Sequence, residues 1–137
     1  MILTIDELTY KINGCAMKVH NTLGNGFQGV IYQRCLAIEL QRAGISFIRE
    51  QEHTIFHEGI EVGKRRANFV VEGNVIVELK ALISLEDVHL AQAKNYVLAY
   101  DFPIGLLINF GSSSLQFKKI FVTSQGSKLK IGKNSKK

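Results

Sequence analysis

Val75-Ile76-Val77-Glu78-Leu79-Lys80, residues 75–80, is the stretch on which the fold turns. A short, almost wholly apolar run of this kind suggests a strand buried on both faces. An acid and a base interrupt it near its end. Two residues apart on a strand, Glu78 and Lys80 point to the same face. Ionised groups seldom enter the middle of a sheet, because burying an unpaired charge is costly. The plain explanation is an ion pair at the strand end. The chemical one is a metal-binding carboxylate beside a lysine that orients a water or stabilises a phosphate.

Working outward, Glu72-Gly73-Asn74 forms a tight turn before this strand. Residues 60–71 make the preceding strand, with the basic stretch Lys64-Arg65-Arg66 near its start, and residues 45–57 make another, joined to it through Glu58-Gly59. The hairpin at 72–74 sets Asn68 nearly opposite Glu78. Downstream, Ser84 followed by Asp87 caps a helix over residues 85–100, which Pro103 ends. His89, Gln92 and Tyr96 recur on one face of that helix. Such a stripe is either an ordinary solvent side or one wall of a pocket. Residues 104–110 and 115–122 are the last strands.

Two helices precede the strands. Thr4 and Glu7 have capping-box spacing, and Leu8, Ile12, Cys15, Val19 and Leu23 form an apolar stripe along residues 6–22. Gly24-Asn25-Gly26 stops that helix. A second covers residues 28–43, with Ile31, Cys35 and Ile38 on its inner face and Gly44 as its stop. Two helices, three strands, a helix and two strands make an α/β sandwich whose third helix crosses over between central strands.

At 46% hydrophobic and 21% charged, the chain has the balance of a globular protein rather than a disordered one. Cys15 and Cys35 are its two cysteines, expected as buried, reduced thiols. No run reaches the length of a membrane span and the N-terminus lacks a basic leader, so a cytoplasmic protein with no membrane partner is expected. The net charge of +5 sits in residues 123–137, which carry five lysines and no acid, leaving 12 basic and 12 acidic residues elsewhere. One domain over 1–122 and a basic, flexible tail over 123–137 follow. His53 and His57 are four apart, which on a strand is about 13 Å, too far for one zinc ion.

These features together resemble the GxxExxY family, small proteins of the PD-(D/E)XK nuclease superfamily. The resemblance rests on Val19-His20, Leu23-Gly24, Gly26-Phe27, Tyr32, Leu36-Ala37-Ile38-Glu39-Leu40 and Gly44. It continues through Val75 to Ala81, the set His89, Gln92 and Tyr96, and Gly105 to Gly111. It implies a restriction-endonuclease-like sandwich, a central mixed sheet flanked by helices, with Mg²⁺- or Mn²⁺-dependent hydrolysis of DNA or RNA. Asn68, Glu78, Lys80, Gln92 and Tyr96 are then the candidate catalytic residues, Glu78 and Asn68 the metal ligands, and Lys64, Arg65 and Arg66 the nucleic-acid contacts.

Two departures stand against activity. Gly29 occupies the glutamate position of the family signature, which falls on Gly26 to Tyr32, and Asn68 replaces the signature aspartate. One of three implied carboxylates remains. Mg²⁺ favours charged oxygen ligands, so its affinity is expected to fall sharply. Glu50, Glu52 and Glu72 are the acids near enough in sequence to substitute, although spacing favours none of them. The alternative is a catalytically silent module on the same fold that binds nucleic acid or protein, with no cofactor. A homodimer is compatible with either reading.

Overall fold

The computed structural model describes residues 3–121. The basic tail, residues 123–137, lies outside the described residues, as does Val122, the expected end of the last strand. Helix α1 (Ile5–Leu23) begins with the expected box: the Glu7 amide donates to Thr4 Oγ1 at 3.1 Å, and the Thr4 amide donates to Glu7 Oε1 at 2.9 Å. Helix α2 spans Gly29–Arg42 and α3 spans Asp87–Tyr100. The strands are β1 (Phe47–His57), β2 (Ile60–Val71), β3 (Val75–Lys80), β4 (Ile104–Asn109) and β5 (Gln116–Phe121).

The five strands form one mixed sheet in the order β1-β2-β3-β4-β5. Only the β3–β4 pair is parallel, and α3 is the crossover that parallel pairing requires. Helices α1 and α2 cover one face, where Leu8, Ile12, Leu36 and Leu40 pack with Phe69 and Val77. Helix α3 covers the other, where Ala93 and Val97 meet Ile76 and Leu107. Strand β3 is therefore buried from both sides, as its composition predicts. Gly105 lets α3 approach closely, since a β-carbon there would collide with the Val97 side chain.

Three expectations need correction. The inner face of α2 is Tyr32, Leu36, Ala37 and Leu40, one position away from the predicted stripe, and Ile38 is 47% exposed. Tyr32 fixes that rotation by stacking on Phe110 at 4.7 Å. Helix α3 is capped by Glu86 and His89, with the Glu86 amide donating to His89 Nδ1 at 2.9 Å, and not by Ser84 with Asp87. His89 is thereby a cap and not a pocket wall. Cys15 and Cys35 are free but only half-buried, Cys15 lying 3.6 Å from the Glu39 carbonyl.

Candidate functional site

The β1–β2 hairpin is irregular in two places, and these build the site. Glu58 and Gly59 close it tightly, both with positive φ (51° and 81°). A bulge between Ile55 and Phe56 then shifts the register, so that Arg49 pairs with Phe69 and Gln51 with Ala67. Glu50 is left facing Asn68, and its backbone sits at φ 54°, in the left-handed region. That conformation costs a non-glycine residue on the order of 1 kcal/mol. The strand's alternation breaks there, and Arg49 and Glu50 both reach Gln33 on α2.

The first group of polar side chains lies on the α2 face. Gln33, 8% exposed, donates from Nε2 to Glu50 Oε2 at 2.8 Å and accepts from Arg49 Nη2 at 2.6 Å. Asn68 Nδ2 donates to the same Glu50 oxygen at 3.3 Å, while Asn68 Oδ1 accepts from the Leu79 amide at 2.8 Å. With Gly29 and Val30, these residues line an open cleft of about 490 Å³. Gly29 is the first residue of α2, where a β-carbon would meet nothing within 4 Å. The loop leading into it is pinned by Tyr32, whose hydroxyl donates to the Gly24 carbonyl at 2.6 Å and accepts from the Phe27 amide at 3.2 Å. Within Gly26 to Tyr32, then, the tyrosine is structural, and position 29 faces the cleft.

The second group lies on the α3 face. Glu78 is 5% exposed, and its Oε1 stands 3.7 Å from Arg65 Nη2. The Arg65 guanidinium lies over the Tyr96 ring, 3.8 Å from its centroid. His53, opposite Arg65 in register, packs its ring against Tyr100 with centroids 4.3 Å apart. His53 Nδ1, Arg65 Nε and the Tyr100 hydroxyl are buried without a hydrogen-bond partner. Burial raises the Glu78 carboxyl to about 7 against the opposing pull of Arg65. Burial also lowers His53 and raises Tyr100.

Of the residues singled out in the sequence, Glu78, Arg65 and Tyr96 come together, and alternation sets Lys80 on the same face as Glu78. Asn68 does not join them. Its amide turns to the α2 face, and only its backbone N–H reaches Glu78, at 3.4 Å from Oε2. The expectation that Asn68, Glu78 and Lys80 share one face fails because the alternation of β2 breaks at Asn68: Ala67 packs on the α3 face and Phe69 on the α1–α2 face, so the side chain between them does not follow the strand's period. Gln92 is exposed on α3. Lys64 and Arg66 are exposed, and alternation sets them away from Arg65. Arg65 turns inward, the opposite of a free nucleic-acid contact. Gln33, Arg49, Glu50, His53 and Tyr100 carried no sequence signal that ranked them, since each depends on the shifted register or on helix rotation.

This donor set does not fit a divalent cation. Mg²⁺ is held by oxygens in a near-octahedral shell, usually with one or two carboxylates. Glu78 is engaged with a guanidinium, Asn68 Oδ1 with a backbone amide, and Glu50 Oε2 with two side-chain amides. Among the described residues, no three His, Cys, Asp or Glu side chains are grouped to hold a metal ion. No helix among the described residues is long and apolar enough to cross a membrane.

A family model for the PD-(D/E)XK nuclease superfamily matches residues 6–120. The crystal structure of SSO0001 is similar, with a TM-score of 0.55 and 18% identity, covering 74% of this chain and 54% of that one. The chain thus spans about half the length of that protein, and at such identity the likeness speaks for the fold alone. No curated protein matches the sequence. The mixed five-stranded sheet with helices on both faces is the restriction-endonuclease-like fold.

Proposed function

From the chain's membership of the PD-(D/E)XK nuclease superfamily, to which the match over residues 6–120 assigns it, we propose a nuclease-like protein that holds nucleic acid without cutting it. The finer placement in the GxxExxY family belongs to this proposal. The observation that carries it is the separation of the two side-chain groups: the amide that stands for the family's aspartate and the Glu78 carboxylate leave the sheet on opposite faces. Binding falls to cationic groups around the open cleft, namely Arg49 within it and Lys64 and Arg66 exposed on the same hairpin. The lysines of residues 123–137 add charge for the same backbone. A cytoplasmic setting and the division into a domain and a basic tail go with this reading.

A second reading has one observation in its favour. Glu50 stands beside Asn68, so an acid is present next to the position that lost one. Metal-dependent phosphodiester hydrolysis, with Mg²⁺ or Mn²⁺ and residues Glu78, Lys80, Gln92 and Tyr96 in catalytic roles, would require Glu50 and Glu78 to turn toward a common point.

Titration of labelled single-stranded DNA, duplex DNA and RNA by fluorescence anisotropy tests the first reading. With two to four phosphate contacts, affinity should fall about 10- to 100-fold between 50 and 200 mM salt. The same substrates incubated with Mg²⁺ and with Mn²⁺ should stay intact. Absence of binding to all three sinks the proposal. Metal-dependent cleavage that Glu78→Gln abolishes would replace it with the second reading.

A further inference from the structure

Arg65 is inward-facing, and its contacts give it a specific place. It rises from β2 between Glu78 on one side and Tyr96 on the other, at 3.7 Å and 3.8 Å. We infer that the Arg65 guanidinium is the resident cation of the Glu78 site, standing in place of a divalent metal and closing the carboxylate to one. This deepens the silent reading above by saying what holds the site shut.

Charge and the available ligands both favour this. A buried carboxylate needs a positive partner, and a guanidinium supplies it with a planar fork that also stacks on an aromatic ring. Tyr96 provides that ring on α3, so the cation is held from two elements at once. Its side chain keeps one-third of its exposure, whereas Glu78 keeps 7%. A metal ion would have to expel this group and then find further oxygens. Gly29 offers none, while Asn68 and Glu50 have their nearest acceptor oxygens engaged on the other face. The three features fit one another: a neutral residue at 68, no side chain at 29, and a built-in cation at 65.

Uptake of Mn²⁺, followed by the electron paramagnetic resonance of the free ion, tests the inference on the full chain. Wild-type protein should show no uptake in the millimolar range that Glu78→Gln alters. Arg65→Met keeps an apolar stem and removes the cation, so it should take up Mn²⁺ in the millimolar range where wild type does not, and Glu78→Gln on that background should abolish that uptake. Wild-type uptake that depends on Glu78, or no gain in a folded Arg65→Met protein, overturns the inference. Should Arg65→Met fail to fold, the wild-type Arg65 Nε–H resonance decides: it should shift in Glu78→Gln and stay still when Mg²⁺ is added. A Mg²⁺-induced shift that Glu78→Gln lacks is the contrary result. Failure to bind nucleic acid would sink the proposed function and leave this inference standing, whereas metal uptake at Glu78 would do the reverse.

Discussion

Asn68 and Glu78 occupy facing positions on β2 and β3, next in register after Phe69 and Val77, yet their side chains leave the sheet on opposite sides. The backbone N–H of Asn68 is what reaches Glu78, and the Asn68 amide oxygen is taken by Leu79 one residue beyond. Two positions that look like one site in the sequence are thereby divided between two faces. Each part of that arrangement has a measurable consequence.

The pH dependence of stability should carry the mark of Glu78. Burial lifts its carboxyl from the usual 4.5 to about 7, so the folded state holds a proton that the unfolded chain has lost. Its contribution is therefore fully present below about pH 4.5 and is lost as pH rises through about 7. The loss is at most about 3 kcal/mol, since each tenfold change in proton affinity is worth about 1.4 kcal/mol. Urea unfolding of wild type and Glu78→Gln at about pH 5 and pH 8 should show the variant gaining relative stability by up to that amount as pH rises. A constant difference would mean that Glu78 titrates normally.

Nucleic-acid affinity should depend on the cleft and hairpin cations. Arg49→Ala, Lys64→Ala and Arg66→Ala should each weaken binding on all sequences alike and reduce the log–log salt slope by about 0.9. Anisotropy titrations at several salt concentrations read this directly. Slopes equal to wild type in all three variants would move the contact surface elsewhere.

Placing an acid at position 29 should be structurally cheap. A side chain there meets open space, and a carboxylate in the first turn of α2 interacts favourably with the helix N-terminus. Gly29→Glu should unfold within about 1 kcal/mol of wild type. A loss well beyond that would place Glu50 closer to the new carboxylate than the cleft suggests.

Asn109 should matter more for folding than any residue of the cleft. It is fully buried, accepts from the Leu82 amide at 2.8 Å and the Gly111 amide at 3.2 Å, and donates to the Leu82 carbonyl at 2.9 Å. Asn109→Leu strands these groups away from water and should cost about 2–4 kcal/mol in denaturant unfolding. A loss under about 1 kcal/mol would mean water replaces the amide.

Tyr32→Phe separates a structural from a functional role for Tyr32. The ring still stacks on Phe110, but the bonds to Gly24 and Phe27 are gone. Stability should fall by about 1–2 kcal/mol, with nucleic-acid affinity changed less than twofold. A large loss of affinity at unchanged stability would assign the hydroxyl to binding.

Much of the fold is legible in the residues. The order of elements follows from periodicity, and the Thr4–Glu7 cap and the turns at Glu58-Gly59 and Glu72-Gly73 follow from local chemistry that acts over a few residues. The site is less legible. Glu50 could be named as a nearby acid but not preferred, because counting outward from the His57–Ile60 pair puts Arg49 opposite Asn68. One bulged residue moves Glu50 there instead. Arg65 reads as a surface cation in a basic stretch, and only its tertiary contacts, with Glu78 on β3 and Tyr96 on α3, show that it turns inward.

The amino-acid sequence by itself determined the α/β sandwich, the buried central strand with Glu78 and Lys80 near its end, and the absence of acids at positions 29 and 68. Each of these is local: it depends on residue type and on spacing within one element. Which face each polar side chain takes was decided by tertiary structure alone. A strand's alternation reverses with a single irregular residue, and neither the positive φ of Glu50 nor the bulge near Phe56 can be read from residue type and spacing within one strand.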